Sequence, residues 1–218
     1  MMLTWDEIGE RLYETGVKKG VIYPQVGSAY PKGYAWNGLT GFEEAPDGGE
    51  ANDYFADDIQ YISIRSREKF KATIKAYTYP DEFAACDGSA AVASAPGVYV
   101  GQQPRKPFGF SCVSTIGNDT EFEDYGYKIH LVWGATVSPS SKEYQPINDS
   151  PEPMEMSWDM DTLPVKITGF KPTAHMEIDS TKANPTKLKR LEDILYGTAT
   201  TEARLPLPDE VIEIMTAA

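Results

Sequence analysis

The sequence predicts a mainly β domain of sandwich or barrel type, carrying one or two short helices. Three observations lead there: apolar residues alternate with polar ones over several stretches, only one segment has a well-defined helical stripe, and 18 Gly and 16 Pro punctuate the patterned runs. The chain of 218 residues with 41% hydrophobic side chains is long enough to fill one sizeable core. Patterned strands of the same kind recur throughout, so residues 1–218 are expected to form a single domain, with a C-terminal extension from about residue 198.

The first expected strands are Leu12 to Val17 and Val21 to Tyr23, around a Lys18-Lys19-Gly20 turn, followed by Ala35 to Glu43. Between Glu43 and Asp58 the chain holds Glu43, Glu44, Asp47, Glu50, Asp53, Asp57 and Asp58 with no base. Its middle is rich in turn formers, so a long exposed acidic loop is expected there. Next, Ile62, Ile64, Phe70, Ala72, Ile74 and Ala76 share one parity, interrupted by Ser66 and Glu68, while Arg65, Arg67, Lys69, Lys71 and Lys75 share the other. One face of this stretch should be buried. An unbroken strand over residues 59–79 would run about 70 Å at about 3.3 Å per residue. A break is therefore expected near residues 66–69, giving two strands.

A short helix is expected from Pro80 to Gly88, where Asp81 and Glu82 suit the positive end of a helix dipole and Phe83, Ala84 and Cys86 form the apolar side. Strands follow over Phe108 to Ile116, Tyr127 to Trp133, Met154 to Met160 and Val165 to Phe170, then Ala174 to Ile178. Residues 138–153 read as a surface loop. The best-specified element is a helix with Asn184 as N-cap, Pro185 at the first position, Leu188, Leu191, Ile194 and Leu195 as one stripe, and Gly197 closing it. It should lie over a sheet.

Charge narrows the function classes. With 33 acids and 20 bases the formal net charge is -13, which opposes adsorption to nucleic acid, because backbone affinity comes from neutralising phosphates. A second base-free window, Glu143 to Val165, holds Glu143, Asp149, Glu152, Glu155, Asp159 and Asp161. Its spacing supplies neither the facing carboxylates of a glycosidase nor an Asp-x-Asp-x-Asp-Gly calcium loop, so a solvated acidic surface is expected. The five alternating bases admit three readings: an ordinary strand face guarded by Lys, a contact for acids of a neighbouring subunit, or a DNA contact.

Catalytic motifs are not found. His130 and His175 each sit on the polar parity of an expected strand, outside any His-Glu-x-x-His pattern, and read as surface or structural residues. No nucleophile elbow, phosphate loop or dinucleotide fingerprint occurs. The chain is thus expected to be no enzyme and to need no cofactor or metal. Cys86 and Cys112 are expected to be free thiols, and neither a signal peptide nor a membrane span is expected.

Several phrases in order resemble the major tail proteins, or tail tube proteins, of long-tailed, non-contractile phages and prophages of Gram-positive bacteria. They are Glu10-Arg-Leu-Tyr-Glu-Thr-Gly-Val17 with Gly20-Val-Ile-Tyr23, Ala35-Trp-Asn-Gly-Leu-Thr40, Ala72-Thr-Ile-Lys-Ala-Tyr-Thr-Tyr-Pro-Asp-Glu-Phe83 with Asp87-Gly88, and Leu191-Glu-Asp-Ile-Leu-Tyr-Gly197. Together they span residues 10–197. The resemblance implies a β-sandwich with a flanking helix whose sheet joins its neighbours in a ring, six to a ring, with rings stacked into a tube that conducts DNA during ejection. It implies a virion location in the tail, assembly in the host cytoplasm, and tape measure, tail terminator and distal tail proteins as partners beside the chain itself.

In that setting the loop from Glu43 to Asp58 matches the family's inter-subunit loop, and the Arg65 to Lys75 face is expected to meet that loop on a neighbour. Glu155, Asp159 and Asp161 become candidates for the lumen wall, past which DNA moves without specific binding. The alternatives are a carbohydrate-binding β-sandwich presenting Trp36, Tyr34 or Trp133, a capsid decoration protein, or a glycoside hydrolase with carboxylates around Asp159.

Overall fold

The computed structural model describes residues 2–140, 142–147 and 152–217; Asp149 of the second acidic window lies outside them. Among the described residues the strands are β1 Tyr13–Pro24, β2 Tyr34–Trp36, β3 Leu39–Glu44, β4 Ala51–Ala56, β5 Ile59–Arg65, β6 Lys71–Ala76, β7 Ala90–Ala91, β8 Tyr99–Val100, β9 Phe108–Asn118, β10 Phe122–Val137, β11 Met156–Thr162 and β12 His175–Asp179. Two helices, α1 Pro185–Tyr196 and α2 Pro208–Thr216, and a 3-10 turn at Asp81–Ala85 complete the elements. Mainly antiparallel β structure with two short helices is the fold class that the alternation predicts.

The main sheet runs β2-β1-β9-β10-β11-β6-β3. β10 serves two partners along one edge: Lys128 to Val132 pair with β12, and Ala135 to Val137 pair with β11. Gly134 divides them. It sits at φ +61°, its N–H donates to the Tyr30 hydroxyl at 2.8 Å, and a Cβ there would lie 2.3 Å from the Leu163 carbonyl oxygen. The bulge turns the sheet, so β11, β6 and β3 fold across β1, β9 and β10. At the far end Leu39 of β3 packs so closely on Gly20 of β1 that a Cβ would fall 2.3 Å from it, completing a sandwich curled almost into a barrel.

The inner face is apolar because alternate positions of both halves point into it. Ile22, Phe110 and Val132 meet Ile74, Trp158 and Met160, and Phe83 from the 3-10 turn plugs the interior. Trp36 lies edge-on to Phe110 and Trp158, and Phe83 edge-on to Trp158, at centroid distances of 5.9, 5.6 and 5.3 Å. Such offset aromatic contacts add about 0.5–1.5 kcal/mol each beyond area burial. On the outer face of β1, β9 and β10 the two helices bury Val21, Val113, Ile129, Leu131 and Trp133 beneath Leu188, Leu191, Val211 and Ile214.

α1 forms as its sequence dictates. The Asn184 side chain accepts from the backbone N–H of Thr186 and Lys187, Pro185 occupies the first turn, and Leu188, Leu191 and Leu195 are buried. The Tyr23 hydroxyl then donates to the Leu195 carbonyl at 2.9 Å, tying the helix end to β1. α2 lies within the expected C-terminal extension, where the sequence reading places no helix. Pro208 starts it, Asp209 and Glu210 fill its first turn, Val211 and Ile214 are buried, and the Trp133 indole donates to the Pro206 carbonyl at 2.9 Å. The C-terminal segment is therefore part of the second core.

Four other local expectations change. Lys18-Lys19-Gly20 is not a turn but a pair of register shifts inside one continuous β1, with Lys19 at φ +52°. The stretch Ala35 to Glu43 divides at Asn37-Gly38 into β2 and β3. Val165 to Phe170 forms no strand, only one bridge between Val165 and Thr173, because the chain turns immediately afterwards. The helix expected from Pro80 is a single 3-10 turn, although Phe83, Ala84 and Cys86 are buried as expected. Among the described residues no helix is long and apolar enough to cross a membrane.

Candidate functional site

The second half of the expected acidic loop over residues 43–58, residues 51–58, is one strand and the turn of a hairpin. Glu43 and Glu44 end β3, and β4 and β5 then form a separate two-stranded ladder joined at Asp57-Asp58. Both aspartates have positive φ, 53° and 63°, as a two-residue primed turn requires, and Asp tolerates that region better than most side chains. Turn composition suggested a loop because the flanking strands are short. The alternation of Tyr54, Ile62 and Ile64 was the signal for this arm.

The break expected at residues 66–69 is present, but the two strands it separates have different fates. β6 buries Ala72, Ile74 and Ala76 in the core, whereas Ile62 and Ile64 of β5, expected to be buried, are exposed. In the arm's register Tyr54 lies opposite Ile62, with Ile64 next along the same face, each about half exposed. Phe55 and Tyr61 are 70% and 75% exposed. Asp53, Ser63 and Arg65 occupy the other face. Every residue of β4 and β5 is exposed, so among the described residues nothing covers these apolar side chains.

The basic face likewise divides. Lys71 reaches Asp47 at 2.9 Å and Asp161 at 3.5 Å, and Lys75 reaches Glu43 at 3.2 Å. Asp47 holds Lys71 above its ordinary value, and Lys71 holds the Asp47 carboxyl below its own. These two lysines and the acids Glu43 and Asp47 thus already have partners within one chain. Lys69 forms a backbone bridge with Asp47, at the root of the arm. Among the described residues Arg65, Arg67 and Lys69, and the acids Glu50, Asp53, Asp57 and Asp58, form no ion pair. Of the lumen candidates, Asp159 accepts from the Thr73 hydroxyl at 2.9 Å, Asp161 pairs with Lys71, and Glu155 is exposed just before β11. Asp159 and Asp161 share the outer face of β11 beside Thr73 and Lys71 of β6.

One polar cluster went unrecognised in the sequence. Beyond the core, the inner face of β1, β9, β10 and β12 continues as Glu14, Ser114, Lys128, His130, His175 and Glu177, and the end of β3 lays Glu44 across it. Glu14, Glu44, Ser114, Lys128, His130 and Glu177 line a cleft of about 320 Å³, with His175 beside it. Ser114 donates to Glu14 Oε1 at 2.6 Å and lies 2.9 Å from His130 Nε2, while His130 Nδ1 lies 3.1 Å from Glu44 Oε1. His175 Nε2 lies 3.3 Å from that same oxygen, but with an orientation that makes no hydrogen bond. The two rings stack 5.8 Å apart, and Phe70, where the arm returns to β6, stacks on His175 at 4.3 Å.

Electrostatics in this cleft follow from its burial. The hydrogen bond with His130 holds the Glu44 carboxyl below the usual range despite partial burial, and burial pushes the His175 imidazole down. Burial raises Glu14, but hydrogen bonds with Lys128 and Ser114 more than offset it and leave its carboxyl low. The two thiols are free and buried; burial lifts Cys86 to about 12 and raises Cys112 as well, which makes both poor nucleophiles. Trp36 and Trp133 lie in the two cores and Tyr34 is half-buried, so these three side chains form no exposed aromatic platform.

No family model matches this chain, and no curated protein matches it.

Proposed function

We infer that the chain is a structural virion protein whose copies join into rings and stack into the tail tube that conducts phage DNA. The observation that carries this reading is the β4–β5 arm. An isolated two-stranded hairpin is marginal in water, and one with Tyr54, Ile62 and Ile64 aligned on an uncovered face is a poor design for a monomer. A second copy of the chain is the natural cover, since the two outermost strands of the main sheet, β2 and β3, also offer backbone edges for strand addition. The ordered phrases that resemble tail tube proteins support the same reading.

Charge has a secondary part. Exposed ion pairs contribute about 0–1 kcal/mol each, so apolar burial and strand pairing must supply most of the association energy. The unpaired Arg65, Arg67 and Lys69 are the basic residues left to meet Glu50, Asp53, Asp57 or Asp58 of a neighbour; Lys71 and Lys75 are engaged at home. An acidic chain also suits a conduit that must not hold DNA. Because Asp161 is paired with Lys71, the cleaner lumen test is Glu155→Lys alone, expected to slow ejection without altering the fold.

The test of this reading replaces Tyr54, Ile62 and Ile64 together by Ser. Sedimentation velocity should show large assemblies for the parent chain and a monomer for the variant, with the same unfolding temperature for the isolated subunit. Assembly that survives the triple change would contradict the arm's role.

A further inference from the structure

We propose that Glu44, His130, His175 and Glu177 form a binding site for one first-row divalent cation, Zn²⁺ above all, which clamps the root of the arm. Their ligand atoms lie within 4.8 Å of one another. His130 and Glu177 are directly opposite in the β10–β12 ladder, and His175 follows on the same face, so the sheet register itself assembles three of the four.

The hydrogen-bond network asks for a cation. Ser114 spends its proton on Glu14, so it accepts from His130 Nε2, and the other ring nitrogen, Nδ1, lies against the Glu44 carboxylate at 3.1 Å. His175 Nε2 is buried without a hydrogen-bond partner and faces the same oxygen. One metal ion satisfies both nitrogens and the carboxylate together.

Donor chemistry selects the ion. Two imidazoles with two carboxylates suit zinc and its first-row neighbours, whereas calcium and magnesium favour all-oxygen shells. Tetrahedral bonds of about 2.0–2.1 Å imply donors about 3.3 Å apart. The spacings of 3.1 and 3.3 Å around Glu44 Oε1 fit this. Wider separations in the group close as side chains move inward, which the exposed Glu44 and Glu177 allow.

The position gives the ion a consequence. Glu44 is the last residue before the chain leaves for the arm, and Phe70, where it returns, is stacked on His175. A bound ion would fasten β3 to β10 and β12 at that root and restrict the arm's swing. That a steadier arm favours assembly rests on the function proposed above; the metal binding does not.

The experiment titrates Zn²⁺ into the untagged full chain, stripped with chelator and desalted, by calorimetry, with thermal unfolding in parallel. Expected are one equivalent per chain, a raised unfolding temperature, no comparable binding of Ca²⁺ or Mg²⁺, and a visible Co²⁺ absorption band in place of zinc. His175→Gln and the exposed Glu177→Gln should each weaken binding at least about tenfold, since even outer-shell changes cost 10–100-fold. Zn²⁺ should also slow proteolysis within residues 45–70. A folded chain that takes up no Zn²⁺, that binds Ca²⁺ equally well, or whose binding ignores both substitutions would overturn the site. Binding without protection of the arm would overturn the clamp.

Discussion

Gly134 concentrates the fold's geometry in one residue. Its positive φ and the nearby Leu163 carbonyl leave no room for a methyl group, and the bulge it permits lets β10 pair with both β11 and β12. Gly134→Ala should therefore lower stability by more than about 1 kcal/mol, read as a drop in unfolding temperature. Asp209 acts at the same scale: its carboxylate accepts from the Thr168 N–H at 2.7 Å and the Thr168 hydroxyl at 2.9 Å, pinning the loop after β11 to α2. Those hydrogen bonds hold its pKa below the ordinary 3.8. A depressed folded value means the stabilisation is full above about pH 4 and is lost as pH falls through the folded value. Asp209→Asn should thus destabilise the chain at neutral pH and flatten the acid limb of its pH–stability curve. Single residues were also where the sequence was least informative. His130 and His175 looked like separate polar positions, because only the β10–β12 register and the reach of Glu44 bring them together. The His175-x-Glu177 spacing on one strand face was the available hint.

At the scale of elements, strong local signals survived and short ones did not. α1 carried its cap, its stripe and its stop within a dozen residues, and β9, β10, β11 and β12 carried clear alternation. α2 spans only nine residues and was missed, although Pro208 with two acids in the first turn is a start signal. Its buried Ile214 gives a direct check: Ile214→Ala should cost about 2–5 kcal/mol in denaturant unfolding, where a dispensable tail would cost nothing. The arm shows a different limit. Alternation correctly indicated strand at Ile62 and Ile64, but periodicity records only that a face is apolar, not whether the same chain or another one covers it. Within the arm, Arg65→Glu with Arg67→Glu should weaken assembly and its dependence on salt while leaving the subunit's stability unchanged, since among the described residues neither arginine has an ion-pair partner at home. Assembly measured against ionic strength checks this.

The whole molecule is built from two cores on opposite sides of one sheet. One lies inside the curled sandwich and the other lies under the helices, and both are filled by the chain itself. The arm is left exposed, on a subunit whose net charge of -13 keeps free copies apart until specific contacts outweigh repulsion. The strand content and the helix over the sheet could be read from the sequence, whereas the curl, the two-sided use of β10 and the fate of the arm depend on contacts distant in the chain. The central claim is that copies of this chain complete one another through the arm into a hollow tube. Negative-stain electron microscopy of the purified full-length chain over a range of concentration and salt tests it most directly. Rings or tubes of uniform width are the expected result, and a monodisperse monomer under every condition would contradict the account.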